Sequence, residues 1–251
     1  MDIIQKLTEE LQVKKWQVEA AVKLIDEGNT IPFIARYRKE ATGSLNDEVL
    51  RNLDERLKYL RNLEEKKEQV ISSIREQEKL TPELEKQILE AMTMVAVEDL
   101  YRPYPPKRRT RAMIAKEKGL EPLADLIWLQ QIKEPVEGLA RAYVSEEKQV
   151  ASEAEAVAGA RDILAERISD QADYRSYIRK ITMDRGMIAS SAKDGEIQSV
   201  YEMYYQYEEL IKRCAGHRIL ALNRGEKEKV LTVKIQAPEE DIIRYLEKQV
   251  I

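Results

Sequence analysis

The 251-residue chain carries 35% charged and 6% aromatic residues, with only 9 glycines and 8 prolines. That balance excludes a turn-rich all-β fold and favours long helices. Its formal net charge of −4 excludes a general attraction to polyanions, so any nucleic-acid binding must come from a local patch. A single cysteine, Cys214, excludes an internal disulfide and suits a reducing compartment. The first residues lack a basic region followed by an apolar one, and no apolar run approaches the ~20 residues that span a bilayer. The expectation is a soluble cytoplasmic protein without membrane contact.

Taken in order, Asp2 caps a first helix with Ile3, Ile4, Leu7 and Leu11 on one face. A second helix carries Trp16, Val18, Ala21, Val22 and Ile25 and stops at Gly28. Trp16 reads as core, with base stacking as the other use of such a ring. These short helices and the next suggest a helix-turn-helix-like arrangement. Thr30 and Pro32 start the third helix, which ends in Arg36, Arg38 and Lys39 before Thr42-Gly43. This cationic group has two readings: a secondary phosphate contact, or an Arg36 ion pair that fixes helix packing.

Asn46, Asp47 and Glu48 open a helix predicted to run over 46–79, a spine roughly 50 Å long. Leu50, Leu53, Leu57 and Leu60 form its seam, and the charged stretch 64–68 reads as solvent-bridging or paired with a partner. Thr81-Pro82 begins a returning helix whose Leu84, Ile88, Leu89, Met92 and Val95 face the spine. Pro103, Pro105 and Pro106 then break the helix, because each fixes φ and lacks an N–H donor. Thr110 caps a short helix that ends at Gly119, suited to the left-handed position. Between them lie Lys107, Arg108, Arg109 and Arg111. This strap reads either as a handle for a polyanion or as a connector whose arginines neutralise neighbouring carboxylates.

Further helices start near Glu121, Pro135, Ser152 and Asp173, the last reaching 188. Ala154, Ala156, Ala158, Gly159 and Ala160 would let helices approach closely. Tyr201, Tyr204, Tyr205 and Tyr207, interleaved with acids, are expected to pack against a neighbouring domain. Segments 218–222 and 230–235 read as two short strands joined by a turn or short helix at 223–227. His217, the sole histidine, then sits at a strand start. Cys214 and His217 are three apart, but no second Cys/His pair completes a metal set. No phosphate-cradling glycine loop is present. No catalytic residue, metal or cofactor is expected. The fold class is mainly α and multi-helical, with a long central spine and helix-turn-helix-like elements, plus a short β pair near 217–235.

Three stretches, in order, resemble the bacterial Tex family of transcription accessory proteins: Ile31-Pro32-Phe33-Ile34-Ala35-Arg36-Tyr37-Arg38-Lys39-Glu40-Ala41-Thr42-Gly43, the strap from Asp99-Leu100-Tyr101 to Gly119-Leu120-Glu121-Pro122-Leu123-Ala124, and His217-Arg218-Ile219-Leu220-Ala221-Leu222-Asn223-Arg224-Gly225-Glu226. Arg102 and residues 213–216 depart from the family pattern. The resemblance implies a helical N-terminal domain over 1–195 and a linking region over 196–251, with the β pair leading toward a ribonuclease-H-like domain. It also implies that this is an N-terminal piece, because the family continues into that domain, helix-hairpin-helix repeats and an S1 domain. Implied partners are RNA or DNA, mainly through the S1 domain, the transcription machinery, and the protein's own C-terminal domains. The expected function is non-enzymatic: Lys107, Arg108, Arg109 and Arg111, with Arg36, Arg38 and Lys39 secondary, are read from their clustered charge as phosphate contacts while the helices scaffold. The alternative is a purely protein-interaction module without nucleic-acid contact, which the resemblance favours for this piece because it implies nucleic-acid affinity chiefly in the S1 domain.

Overall fold

The computed structural model describes residues 2–105, 109–131, 134–194 and 198–251. The chain divides into two compact units, Met1–Pro105 and Pro106–Ile251. The boundary drawn from the sequence at 195/196 falls within the second unit, on residues outside the described ones.

In the first unit, α1 (Ile3–Leu11), α2 (Lys15–Asp26) and α3 (Ile31–Tyr37) precede the spine α4 (Asp47–Glu76), 30 residues long. The Asn46 side chain accepts from the amide of Val49, and Asp47 and Glu48 in the first turn complement the helix dipole. One stripe of α4, from Leu50 to Ile74, is buried against α1, α2 and α3 in its N-terminal half. The other half meets α5 (Pro82–Glu90) and α6 (Met94–Tyr101). Two bidentate pairs tie the short helices to the spine. Arg56 donates to both Glu10 oxygens, at 2.5 and 2.8 Å, and Arg61 to both Asp26 oxygens, at 2.7 and 2.8 Å.

Two expectations fail here. The charged stretch 64–68 is not wholly solvated: Lys67 occupies a seam position and is 1% exposed. Its Nζ donates to Glu64 Oε1 and to the Leu89 carbonyl, each at 2.8 Å. The returning helix is also broken, because Thr93 caps a fresh start by accepting from the amide of Ala96. The break shifts the helical phase. Ile88 and Val97 are buried, while Leu89, Met92 and Val95 face solvent.

The second unit begins with α7 (Arg111–Glu117) and α8 (Glu121–Leu129), then α9 (Val136–Ala140), α10 (Glu153–Ser169) and α11 (Ala172–Arg185). Its helical core joins Ala112, Ala115, Leu120, Leu123, Ala156, Ala160 and Ile163. The small-residue stripe on α10 acts as expected. A Cβ on Gly159 would lie 2.4 Å from Leu120 Cδ1 and 3.2 Å from Ala115 Cβ, so its absence permits the close approach of α7 and α10.

A sheet follows, formed by β1 (Met187–Ala192), β2 (Gln206–Leu210) and β3 (Leu231–Gln236) in the order β2-β1-β3, antiparallel throughout. Ser190 lies opposite Tyr207 on one side and Val233 on the other. Residues 218–222 are not a strand: they belong to α12 (Gly216–Lys227), which packs on β3. Asn223 and Gly225 resemble a turn in sequence. In the structure Gly225 is helical, and the Leu231 side chain fills the space of its missing Cβ. His217 therefore stands, exposed, in the first turn of a helix. Tyr201 and Tyr204 are buried in this sheet's own core with Leu222 and Leu231, rather than against another domain. The last helix is α13 (Glu239–Val250), whose Tyr245 stacks on Tyr177 with ring centroids 3.6 Å apart. No helix among the described residues is long and apolar enough to cross a membrane.

Candidate nucleic-acid interface

The described ends of the strap follow from their turn and cap residues. α6 ends at Tyr101, whose hydroxyl lies 2.9 Å from Ser73 Oγ on the spine, and the Tyr104 amide closes a turn onto the Tyr101 carbonyl. Both tyrosine rings rest on the first unit's core. Lys107 and Arg108, two of the cations assigned to this strap, lie outside the described residues. On the far side, Thr110 Oγ1 accepts from the Met113 amide and donates to Glu166 Oε1 at 3.0 Å, which caps α7 and fastens it to α10. Gly119 has φ +77°, as the left-handed helix end requires.

Arg109 and Arg111 are exposed, at 69% and 86% of their side chains, yet each faces an acid of its own unit. Arg109 Nη2 lies 2.7 Å from Glu117, and Arg111 Nε lies 3.7 Å from Asp162. Lys116 and Lys118 are matched in the same way, with Glu121 and Glu155. Arg109, Arg111 and Lys116 thus stand outward and Lys118 is half-buried, each facing an acid of its own unit. Exposed pairs of this kind contribute about 0–1 kcal/mol and are screened by salt, so a phosphate can compete for them.

The group at the end of α3 differs. Arg36, Arg38 and Lys39 are exposed, and none of the three has a carboxylate partner among the described residues. The Arg38 guanidinium sits 5.2 Å from the Phe33 ring centroid, and Phe33 and Tyr37 lie 5.3 Å apart. The turn after Lys39 is held by Thr42, whose amide and hydroxyl both donate to the Arg38 carbonyl. Glu40 is the acid of this turn, leaving the segment net positive.

Trp16 belongs to this surface rather than to the core. It is 48% exposed, and its ring lies against Gly43, where a Cβ would meet Cη2 at 2.4 Å. A signal for this was available in α2. Val18, Ala21 and Val22 share one buried face, and at 100° per residue Trp16 falls off it. Lys14 and Lys15, which immediately precede Trp16, are exposed as well.

Each unit is mainly helical, and each carries exposed cations among its described residues. Two family profiles match the chain: "Tex-like protein N-terminal domain" over residues 1–75 and "Tex central region-like" over 131–250. The chain belongs to the Tex family. It is 47% identical over 250 residues to the uncharacterized protein YdcI of Bacillus subtilis (strain 168), covering 98% of this chain and 35% of that protein. It is 42% identical over 243 residues to the transcriptional accessory protein Tex of Neisseria gonorrhoeae, covering 96% and 32%. It is 31% identical over 251 residues to the S1 RNA-binding domain-containing protein 1 of Homo sapiens, covering 93% and 24%. The chain therefore spans about a third or less of the length of these relatives. The α3 group lies inside the first matched segment, and the strap between the two.

Proposed function

We propose that the chain serves transcription as a non-enzymatic, cytoplasmic module that contacts nucleic acid through its phosphates, without reading sequence, and scaffolds further domains. The observation that carries this reading is the exposed Arg36, Arg38 and Lys39 group, which no carboxylate neutralises among the described residues. Arg109 and Arg111 join only by exchanging their own acids. The names of the relatives, a transcriptional accessory protein and an S1 RNA-binding domain-containing protein, support the same direction.

A salt titration of binding to single- and double-stranded DNA and RNA tests it. About three phosphate contacts give a slope of log affinity on log salt near −2 to −3. Arg36→Glu with Lys39→Glu should flatten that slope and weaken binding more than Arg109→Glu with Arg111→Glu. A parent protein that binds none of these probes would refute the reading. In that event the second reading stands, a protein-interaction scaffold, which the pairing of Arg109, Arg111, Lys116 and Lys118 with acids of their own unit favours.

A further inference from the structure

We infer that the Trp16 and Tyr37 surface of the first unit binds single-stranded nucleic acid, its rings stacking on unpaired bases while Arg36, Arg38 and Lys39 hold the adjoining phosphates. The inference rests on the phosphate-binding reading above and narrows its ligand.

Trp16 and Tyr37 are large rings held in water, 48% and 66% exposed, and exposed cations adjoin each in the chain: Lys14 and Lys15 before Trp16, Arg36 and Arg38 on either side of Tyr37. Neither is loosely attached. Gln17 Nε2 donates to the carbonyls of Thr42 and Gly43, at 3.2 and 3.1 Å, and so ties α2 to the turn that follows Lys39. Trp16 is seated on that turn because Gly43, at φ +62°, leaves room for its ring. Tyr37 is braced by Phe33, which in turn lies beside the Arg38 guanidinium. The platform is therefore ordered before a ligand arrives, which limits the entropy lost on binding.

Charge selects a polyanion, and the rings select among polyanions. Every base has a π-face, but in a duplex those faces are already stacked. A cationic surface alone holds duplex and single strand alike, whereas an aromatic platform between cations rewards the strand whose bases are free. Lys14 and Lys15 extend the positive field past Trp16.

The experiment compares the parent with Tyr37→Ala, Tyr37→Phe and the Arg36→Glu, Lys39→Glu double variant. Fluorescence anisotropy is read with labelled oligothymidylate and oligouridylate of about 20 nucleotides and with a duplex of equal length. Tyr37→Ala should weaken both single strands about tenfold, leave the duplex unchanged and keep the salt slope; Tyr37→Phe should bind like the parent. In a Trp128→Phe background, where Trp16 is the remaining tryptophan, oligothymidylate should quench its emission. If Tyr37→Ala binds single strands as the parent does while the charge reversal abolishes binding, stacking is refuted and the phosphate reading survives. Equal losses on duplex and single strand would also overturn it. A parent that binds no probe removes both readings together.

Discussion

Lys67 Nζ and the carbonyl of Leu89 meet at 2.8 Å in the interior of the first unit, where α5 ends against the spine. The ammonium thereby satisfies a helix-end carbonyl and keeps Glu64 as its counter-charge. Burial would raise the Glu64 carboxyl, but the hydrogen bond from Lys67 contributes to holding it below the usual range. Lys67→Ala should cost about 3 kcal/mol, since it leaves a cavity and strands both partners. Lys67→Met keeps the volume and should cost about 1 kcal/mol. Urea denaturation followed by circular dichroism distinguishes the two; equal costs would show that filling this seam position with aliphatic volume brings no stability.

Gly159 offers a second test. Valine there would drive its side chain into Leu120 and Ala115, so Gly159→Val should lose about 2–3 kcal/mol despite the higher helix propensity. Gly138, with nothing within 4 Å of a built Cβ, is the control: Gly138→Ala should be neutral or stabilising. Thermal unfolding of both variants is the measurement.

The two bidentate pairs on the spine make a prediction about pH. The hydrogen bond from Arg56 holds the Glu10 carboxyl below its ordinary value, and Arg61 does the same for Asp26. Folded values below the unfolded ones mean that the stabilisation is fully present above about pH 5 and is lost as pH falls through the folded values. Because the pairs are partly exposed, each should contribute no more than about 1 kcal/mol. The urea midpoint should drop between about pH 5 and 3, and the drop should shrink in Arg56→Gln.

Cys214 should be a slow nucleophile. Burial raises its thiol above the ordinary value, with Glu209 adding to that rise against Tyr207 and Arg218. Burial and the Glu209 hydrogen bond likewise push the Tyr207 phenol up to about 12. Alkylation by iodoacetamide at pH 8 should run slower than that of free cysteine, and Glu209→Gln should speed it.

Much of the fold was legible because its signals are local. Asn46 before Asp47 and Glu48, Thr110 before Arg111, and Gly119 after Lys118 each mark a helix end through hydrogen bonds to the nearest backbone. The misreadings come from contacts made far along the chain. Residues 187–192, rich in alanine and serine, carry little strand signal, and pairing with β2 and β3 decides their state. Gly225 looked like a turn until Leu231 filled its vacant side. At the candidate interface, the cations themselves were visible. That Arg111 faces Asp162 was not, since only the packing of α7 on α10 brings them together. Trp16 was misplaced because its partner is a glycine turn 27 positions away, and glycine carries no apolar signature.

The match of Arg109 with Glu117 also sets a rule for selectivity. A phosphate approaching this guanidinium gains only the difference between itself and the acid it evicts. Sparse anions gain almost nothing from that exchange, whereas a closely spaced run of them can displace several acids at once. If the proposed phosphate contact extends to Arg109, it would discriminate by charge density, through a threshold that a bare arginine would lack.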